Sequence, residues 1–161
     1  GRVQFRVRQG DDASTGRLAE TVAGLCRECG SELFINSATP GAHELASRLD
    51  AGVHLTSREL ARPSKTTSSY RTLAASCHDT LDLQRAEALG VDFVVLGPVL
   101  ATTSHPNATP IGWEGFARLR ETSALPIYAL GGLSAAALPE ARRHGAQGVA
   151  AIRGFNPAFA T

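Results

Sequence analysis

The chain is 161 residues long, 43% hydrophobic and 19% charged, with a formal net charge of +1. That length holds one domain with an apolar core but falls short of the roughly 250 residues of a full eight-stranded α/β barrel, and the composition is that of a folded protein. The near-zero charge supplies no field to gather nucleic acid, so a polyanion-binding role has no support, and no apolar run approaches the roughly 20 residues that cross a bilayer, which excludes a membrane-spanning helix on length.

Val3-Gln4-Phe5-Arg6-Val7 alternates apolar and polar residues and reads as a strand. After the break at Gly10-Asp11-Asp12, Leu18, Val22, Leu25 and Cys26 recur at helical spacing, and Gly30 closes that helix. Leu33-Phe34-Ile35-Asn36 is a second strand, followed by a helical stretch ending at Leu49. Gly52-Val53-His54-Leu55 and Leu73-Ala74-Ala75-Ser76 are two further strands, separated by a polar loop from Arg62 to Tyr70. A helix from Leu81 to Leu89 ends at Gly90, and Phe93-Val94-Val95-Leu96 then reads as a strand buried on both faces, as in a parallel sheet flanked by helices. Ile127-Tyr128-Ala129-Leu130 and Val149-Ala150-Ala151-Ile152 complete seven strands, with a helix from Leu138 to His144 between them. Repeated strand–helix units predict a parallel α/β domain spanning 1–161, and the pattern alone fits both a closed barrel and a doubly wound sheet.

Cys26, Cys29 and Cys77 make no even disulfide set, and no stretch has the form of a secretory signal, so a reducing, cytoplasmic location is expected. Cys26-Arg27-Glu28-Cys29 lacks a second pair to complete a zinc site and reads as two helix thiols. Arg6 with Arg8, and Arg142 with Arg143, read by themselves as solvated surface charge.

Ligands of parallel α/β proteins lie at the C-terminal ends of the strands. There, Gly97 to Asn107 is a loop of small and hydroxyl-bearing residues suited to holding an anion. Gly131-Gly132 follows the sixth strand, with Ser134 at the N-cap of the next helix, so backbone N–H groups and a helix dipole would meet a phosphate. Arg153-Gly154 follows the seventh strand, and successive turns are neighbours in a barrel, where they form a common phosphate site. Ser76 reads as a hydroxyl contact, Cys77 as inert and His54 as a core imidazole, whereas His105 sits in the anion-holding loop. Gln4 and Asn36, near strand ends, could point inward or lie at an edge. No cluster of Asp or Glu offers a cage for Mg²⁺.

These segments, in order, resemble the thiamine phosphate synthase and thiazole tautomerase family across nearly the whole chain. Val3 to Val7 is similar to its VQLRxK motif, Leu33 to Asn36 to LIIND, Gly52 to Leu55 to GVHLGQ, and Ala75 to His78 to GxSxH. Gly90 to Phe93 with Gly97-Pro98-Val99 resembles GADYxxxGPV, and Leu125 to Gly132 and Gly145 to Ala150 continue the match. The resemblance implies a TIM (β/α)8-type barrel whose first strand has no counterpart here. It also implies condensation of a hydroxymethylpyrimidine pyrophosphate with a thiazole phosphate in thiamin biosynthesis, through a pyrimidine carbocation and with Mg²⁺ assisting.

By the same resemblance, Gln4, Arg6 and Asn36 line the pyrimidine site and Ser76 lies near the pyrophosphate. Thr102 and Ser104 hold the leaving group, and Gly131 and Gly132 cradle the thiazole phosphate, which the position of Arg153 and Gly154 after the seventh strand would extend. Ser76, Ser104 and His105 are the catalytic candidates. The family's Asn-Asp-Arg is here Asn36-Ser37-Ala38, its Gly-Gln is Thr56-Ser57, and its loop lysine is His105, which removes three charged contacts. Pro98 stands where the tautomerase branch has its histidine. The alternative implied by these departures is a degenerate ligand-binding or regulatory domain fused to another enzyme, such as a Nudix hydrolase.

Overall fold

The computed structural model describes residues 1–62, 70–104 and 106–155, which divide into two compact units, Gly1–Ala75 and Ser76–Thr161. The first unit runs β1 (Arg2–Phe5), α1 (Asp12–Glu28), β2 (Glu32–Asn36), α2 (Ala42–Leu49), β3 (Gly52–Leu55), α3 (Ser57–Leu60) and most of β4 (Leu73–Cys77). The second, beyond the end of β4, runs α4 (Thr80–Leu89), β5 (Phe93–Leu96), α5 (Gly112–Arg120), β6 (Ile127–Leu130), α6 (Leu138–Arg143) and β7 (Gly148–Ala150). No helix among the described residues is long and apolar enough to cross a membrane.

All seven predicted strands form. In the first unit β1 pairs with β2, β2 with β3 and β3 with β4, and in the second β5 pairs with β6 and β6 with β7, every pair parallel. Neighbours that are consecutive in the chain and joined by helices belong to the barrel type, because a doubly wound sheet reverses its order at a switch point. β5 is buried along its whole length, as its unbroken apolar run predicts.

The structure departs from the sequence reading at the ends of β1 and β7 and at α5. β1 stops at Phe5, before Arg6 and Val7, because the Val7 N–H leaves the ladder and donates to the Thr39 hydroxyl at 3.3 Å. β7 stops at Ala150, and Ile152 lies beyond it, 73% exposed. α5 was not anticipated, since Gly112 and Gly115 are poor helix formers; Phe116, fully buried, holds it in place.

α1 forms where expected, capped by the Asp11 carboxylate accepting the Ser14 N–H at 2.8 Å, but it buries a different face. Thr15, Ala19, Ala23 and Cys26 point inward, and Leu18 and Leu25 are about half exposed, at 51% and 56%. Small side chains let the helix lie close against the sheet, and this outweighs the larger apolar area of the leucines.

α4 opens on a double cap. The Asp79 carboxylate accepts the Asp82 N–H at 2.8 Å, while the Asp82 carboxylate accepts the His78 N–H at 3.0 Å. Asp79→Ala is expected to cost about 1 kcal/mol of stability, read as a lower urea midpoint with unchanged slope.

Candidate functional site

In the first unit, Asn36 ends β2 in register with His54 of β3, and both are almost fully buried. The Asn36 amide donates to the Gln4 Oε1 at 3.2 Å, and its Oδ1 accepts the Ala38 N–H at 3.0 Å. Asn36 therefore holds the turn that follows it and orients Gln4, whose residue is exposed. Arg6, also exposed, is near enough to act on His54: burial first, then the Arg6 charge, push the His54 imidazole down to about 4. His54 is thus a neutral core imidazole near neutral pH. Ser37 has a structural task, its hydroxyl accepting the Thr56 N–H at 3.0 Å where α3 begins.

A cavity of about 470 Å³ in this unit lies toward the N-terminal ends of the strands, lined by Arg27, Gly30, Leu33, Phe34, Asp50 and Thr72 among others. It is at the opposite end of the strands from Asn36 and holds none of the predicted site residues.

In the second unit the glycine turns meet. Gly131 and Gly132, with φ of 106° and 66°, follow β6 in the left-handed region that disfavours side chains. A Cβ on Gly131 would stand 2.6 Å from the Pro98 Cα, and one on Gly154 would stand 2.1 Å from the Leu133 carbonyl oxygen. The turn after β7 is thus pressed directly against the segment following Gly131-Gly132. No carbonyl among the described residues accepts from the N–H groups of Gly131, Gly132 or Gly154. The loop after β5 is tied to the same turn, because Val99 N–H donates to the Leu130 carbonyl at 2.8 Å and Leu100 N–H to the Gly131 carbonyl at 3.0 Å.

Arg153 reaches back over that loop and donates to the Thr103 hydroxyl and, at 3.4 Å, to the Ser104 hydroxyl. Thr102 braces the same bend, its Oγ1 accepting the Ser104 N–H at 3.3 Å. This unit thus holds a guanidinium, three hydroxyls and, among the described residues, three glycine N–H groups without carbonyl partners, donor types that suit an anion. Thr103 was not singled out in the sequence, since a loop without periodicity gives no sign of which of its hydroxyls faces a cation.

Ser134 departs from expectation. It precedes a 3-10 turn, Ala135–Ala137, without a side-chain cap bond, and α6 starts only at Leu138 with six residues. A short helix that starts this late adds little dipole at the glycine turn. Ser76, in β4, is partly buried between Ala75 and Cys77. The Cys77 thiol is buried and pushed up to about 12, by burial and then by Asp82 and Asp79, which keeps it unreactive as expected. His105 lies outside the described residues.

A family model described as thiamine monophosphate synthase matches residues 1–155. The chain is 31% identical over 153 residues to the thiamine-phosphate synthase of Synechococcus sp. (strain WH7803), covering 93% of this chain and 42% of that protein. It is 30% identical over 156 residues to the thiamine-phosphate synthase of Chloroflexus aurantiacus, covering 93% of this chain and 69% of that one. The chain thus spans less than half the length of the Synechococcus relative. Among solved structures, thiamine phosphate pyrophosphorylase from Pyrococcus furiosus shares the fold, with a TM-score of 0.75 at 23% identity over 94% of this chain and 71% of that one.

Proposed function

Because the chain belongs to the thiamine monophosphate synthase family, we propose that it acts as a thiamine phosphate synthase-type transferase on small phosphorylated pyrimidine and thiazole substrates. The family model runs across both compact units, which supports reading them as one functional domain. A cytoplasmic location accords with this reading.

In the proposed reaction the C–O bond to pyrophosphate breaks heterolytically, leaving the pair of electrons on the pyrophosphate and a cation on the pyrimidine methylene. The thiazole nitrogen then supplies the electrons of the new C–N bond. No proton need move in either step, so the protein's contribution is electrostatic. Arg153, with Thr102, Thr103 and Ser104, would stabilise phosphate oxygens as charge separates, and Ser76 would add a hydroxyl near the leaving group. The N–H groups of Gly131, Gly132 and Gly154 would hold the thiazole phosphate. Gln4, Arg6 and Asn36 would hold the pyrimidine, Asn36 by fixing Gln4. His105 keeps its proposed place as a catalytic group of the loop.

Mg²⁺ is the ion that the resemblance implies, and the residues present do not fit a protein-held ion. The two positions after Asn36 are Ser37 and Ala38, and the Ser37 oxygen already accepts a backbone N–H. Among the described residues no three His, Cys, Asp or Glu side chains group to hold a metal. The charge stabilisation proposed here accordingly comes from Arg153, the hydroxyls and the backbone donors.

The observation that carries the proposal is the junction of Gly154 with the Gly131-Gly132 turn, all three N–H groups lacking carbonyl partners among the described residues. Calorimetric titration with thiamine monophosphate tests it, and absence of binding overturns it. Catalysis is tested by mixing hydroxymethylpyrimidine pyrophosphate and thiazole phosphate with Mg²⁺ in the buffer. Thiamine monophosphate above a protein-free control is the expected result, whereas binding without turnover would mark a binder. Arg153→Ala is expected to weaken thiamine monophosphate about tenfold, the size of one charged hydrogen bond, with an unchanged melting midpoint. The fused hydrolase of the alternative reading gains no support from the relatives described above.

A further inference from the structure

His78 has no part in the site as derived so far, yet it is bound at both ends. Its backbone N–H is held by the buried Asp82 carboxylate at 3.0 Å, and its ring Nδ1 lies 2.5 Å from the Gly97 carbonyl oxygen. A carbonyl can only accept, so Nδ1 carries the proton and donates, which fixes the ring orientation.

Gly97 sits in a tight place. Its N–H donates to the Cys77 carbonyl at 3.2 Å, and a Cβ there would stand 2.0 Å from the Leu130 oxygen. From Gly97 the chain goes straight to Val99 and Leu100, whose N–H groups bind Leu130 and Gly131, and then to the hydroxyls that meet Arg153. The loop is thus attached to the glycine turn, to the start of α5 through the Pro98 and Val99 carbonyls, which accept the Ile111 and Gly112 N–H groups at 2.9 and 3.0 Å, and at Gly97 to Cys77 and, through the His78 side chain, to the start of α4.

We propose that His78 is a positioning residue for the anion site: its Nδ1–H fixes the Gly97 carbonyl and so sets the loop 97–104 that carries the hydroxyls and closes on Gly131. His78 touches neither substrate in this role. The inference deepens the proposed function and rests on the reading of the glycine turns as a phosphate site.

Side-chain length gives the test. Asn places its amide nitrogen as far from Cβ as the imidazole Nδ1, whereas Gln places it one bond further, at the reach of Nε2. His78→Asn should preserve the donor to Gly97; His78→Gln and His78→Ala should lose it. Amide hydrogen exchange of the ligand-free chain is read at Val99 and Leu100, and calorimetry with thiamine monophosphate is read alongside. The Ala and Gln variants are expected to exchange up to about tenfold faster at these two amides and to bind up to about tenfold more weakly, the worth of one hydrogen bond, with the Asn variant near the native protein in both. Equal exchange in all four proteins overturns the anchor. Faster exchange with unchanged affinity overturns its role in the site. A native chain that binds no thiamine monophosphate refutes the phosphate-site reading and this role with it, while the exchange comparison still decides the anchor. Should the Ala variant fail to fold, the Asn and Gln pair decides, and an Asn variant as impaired as Gln overturns the proposal.

Discussion

Gly131→Ala is expected to abolish detectable thiamine monophosphate binding and to lower stability by about 2–5 kcal/mol. Two costs combine. A non-glycine residue held in the left-handed region costs roughly 1–2 kcal/mol, and forcing a methyl into filled space costs roughly 1–3 kcal/mol more. The second applies because the added Cβ meets the Pro98 Cα and Cβ, each at 2.6 Å, and these are backbone and ring atoms with no rotamer to yield. Relief would require the loop after β5 to move away from the turn, breaking the Leu100 to Gly131 hydrogen bond and spoiling the N–H array. Gly90→Ala is the control: its φ is 72° but no atom lies within 4 Å of the added Cβ, so only the conformational cost of about 1–2 kcal/mol is expected. Urea melts and calorimetry on both variants check this, and equal losses in the two would refute the steric argument.

A steep acid weakness is expected from His54. Its imidazole is pushed down to about 4 in the folded chain, against about 6.5 when unfolded, so the unfolded chain takes up the proton first as pH falls. The stability tied to neutral His54 is therefore complete above about pH 7 and is lost between about 6.5 and 4. The loss is on the order of 3 kcal/mol, from about 1.4 kcal/mol per unit of displacement. Asp11 and Glu87 are both held below their ordinary values, chiefly by hydrogen bonds to Ser14 and Ser123, so their contributions fade only below about pH 4.5. Across the interval from about 6.5 to 4.5 the His54 contribution is therefore lost before theirs. His54→Gln should flatten urea midpoints measured across that interval, and a native chain with level midpoints there would refute the assignment.

The strands were legible because alternation and apolar runs mark them directly, and the Gly30 and Gly90 helix ends because a left-handed residue is needed there. The buried face of α1 was not, since hydrophobicity ranks Leu18 and Leu25 above Ala19 and Ala23, whereas close approach to a sheet selects the small residues. The meeting of the glycine turns was readable from glycines placed after successive strands. His78 was readable as the histidine of the Ala75 to His78 segment but not by its task, because its bond to Gly97 crosses 19 positions and leaves no periodic trace. The Asn36 turn was visible, but that its amide serves Ala38 and Gln4 required coordinates.

The three thiols differ in accessibility in a way that supplies a built-in reporter. Cys29 is exposed, whereas Cys26 and Cys77 are buried in different compact units. With Cys29 blocked by a first alkylating reagent, a second fluorescent one can tag Cys26 only when the first unit opens and Cys77 only when the second does. The native sequence thereby allows the lability of each half to be timed separately, without any engineered tag.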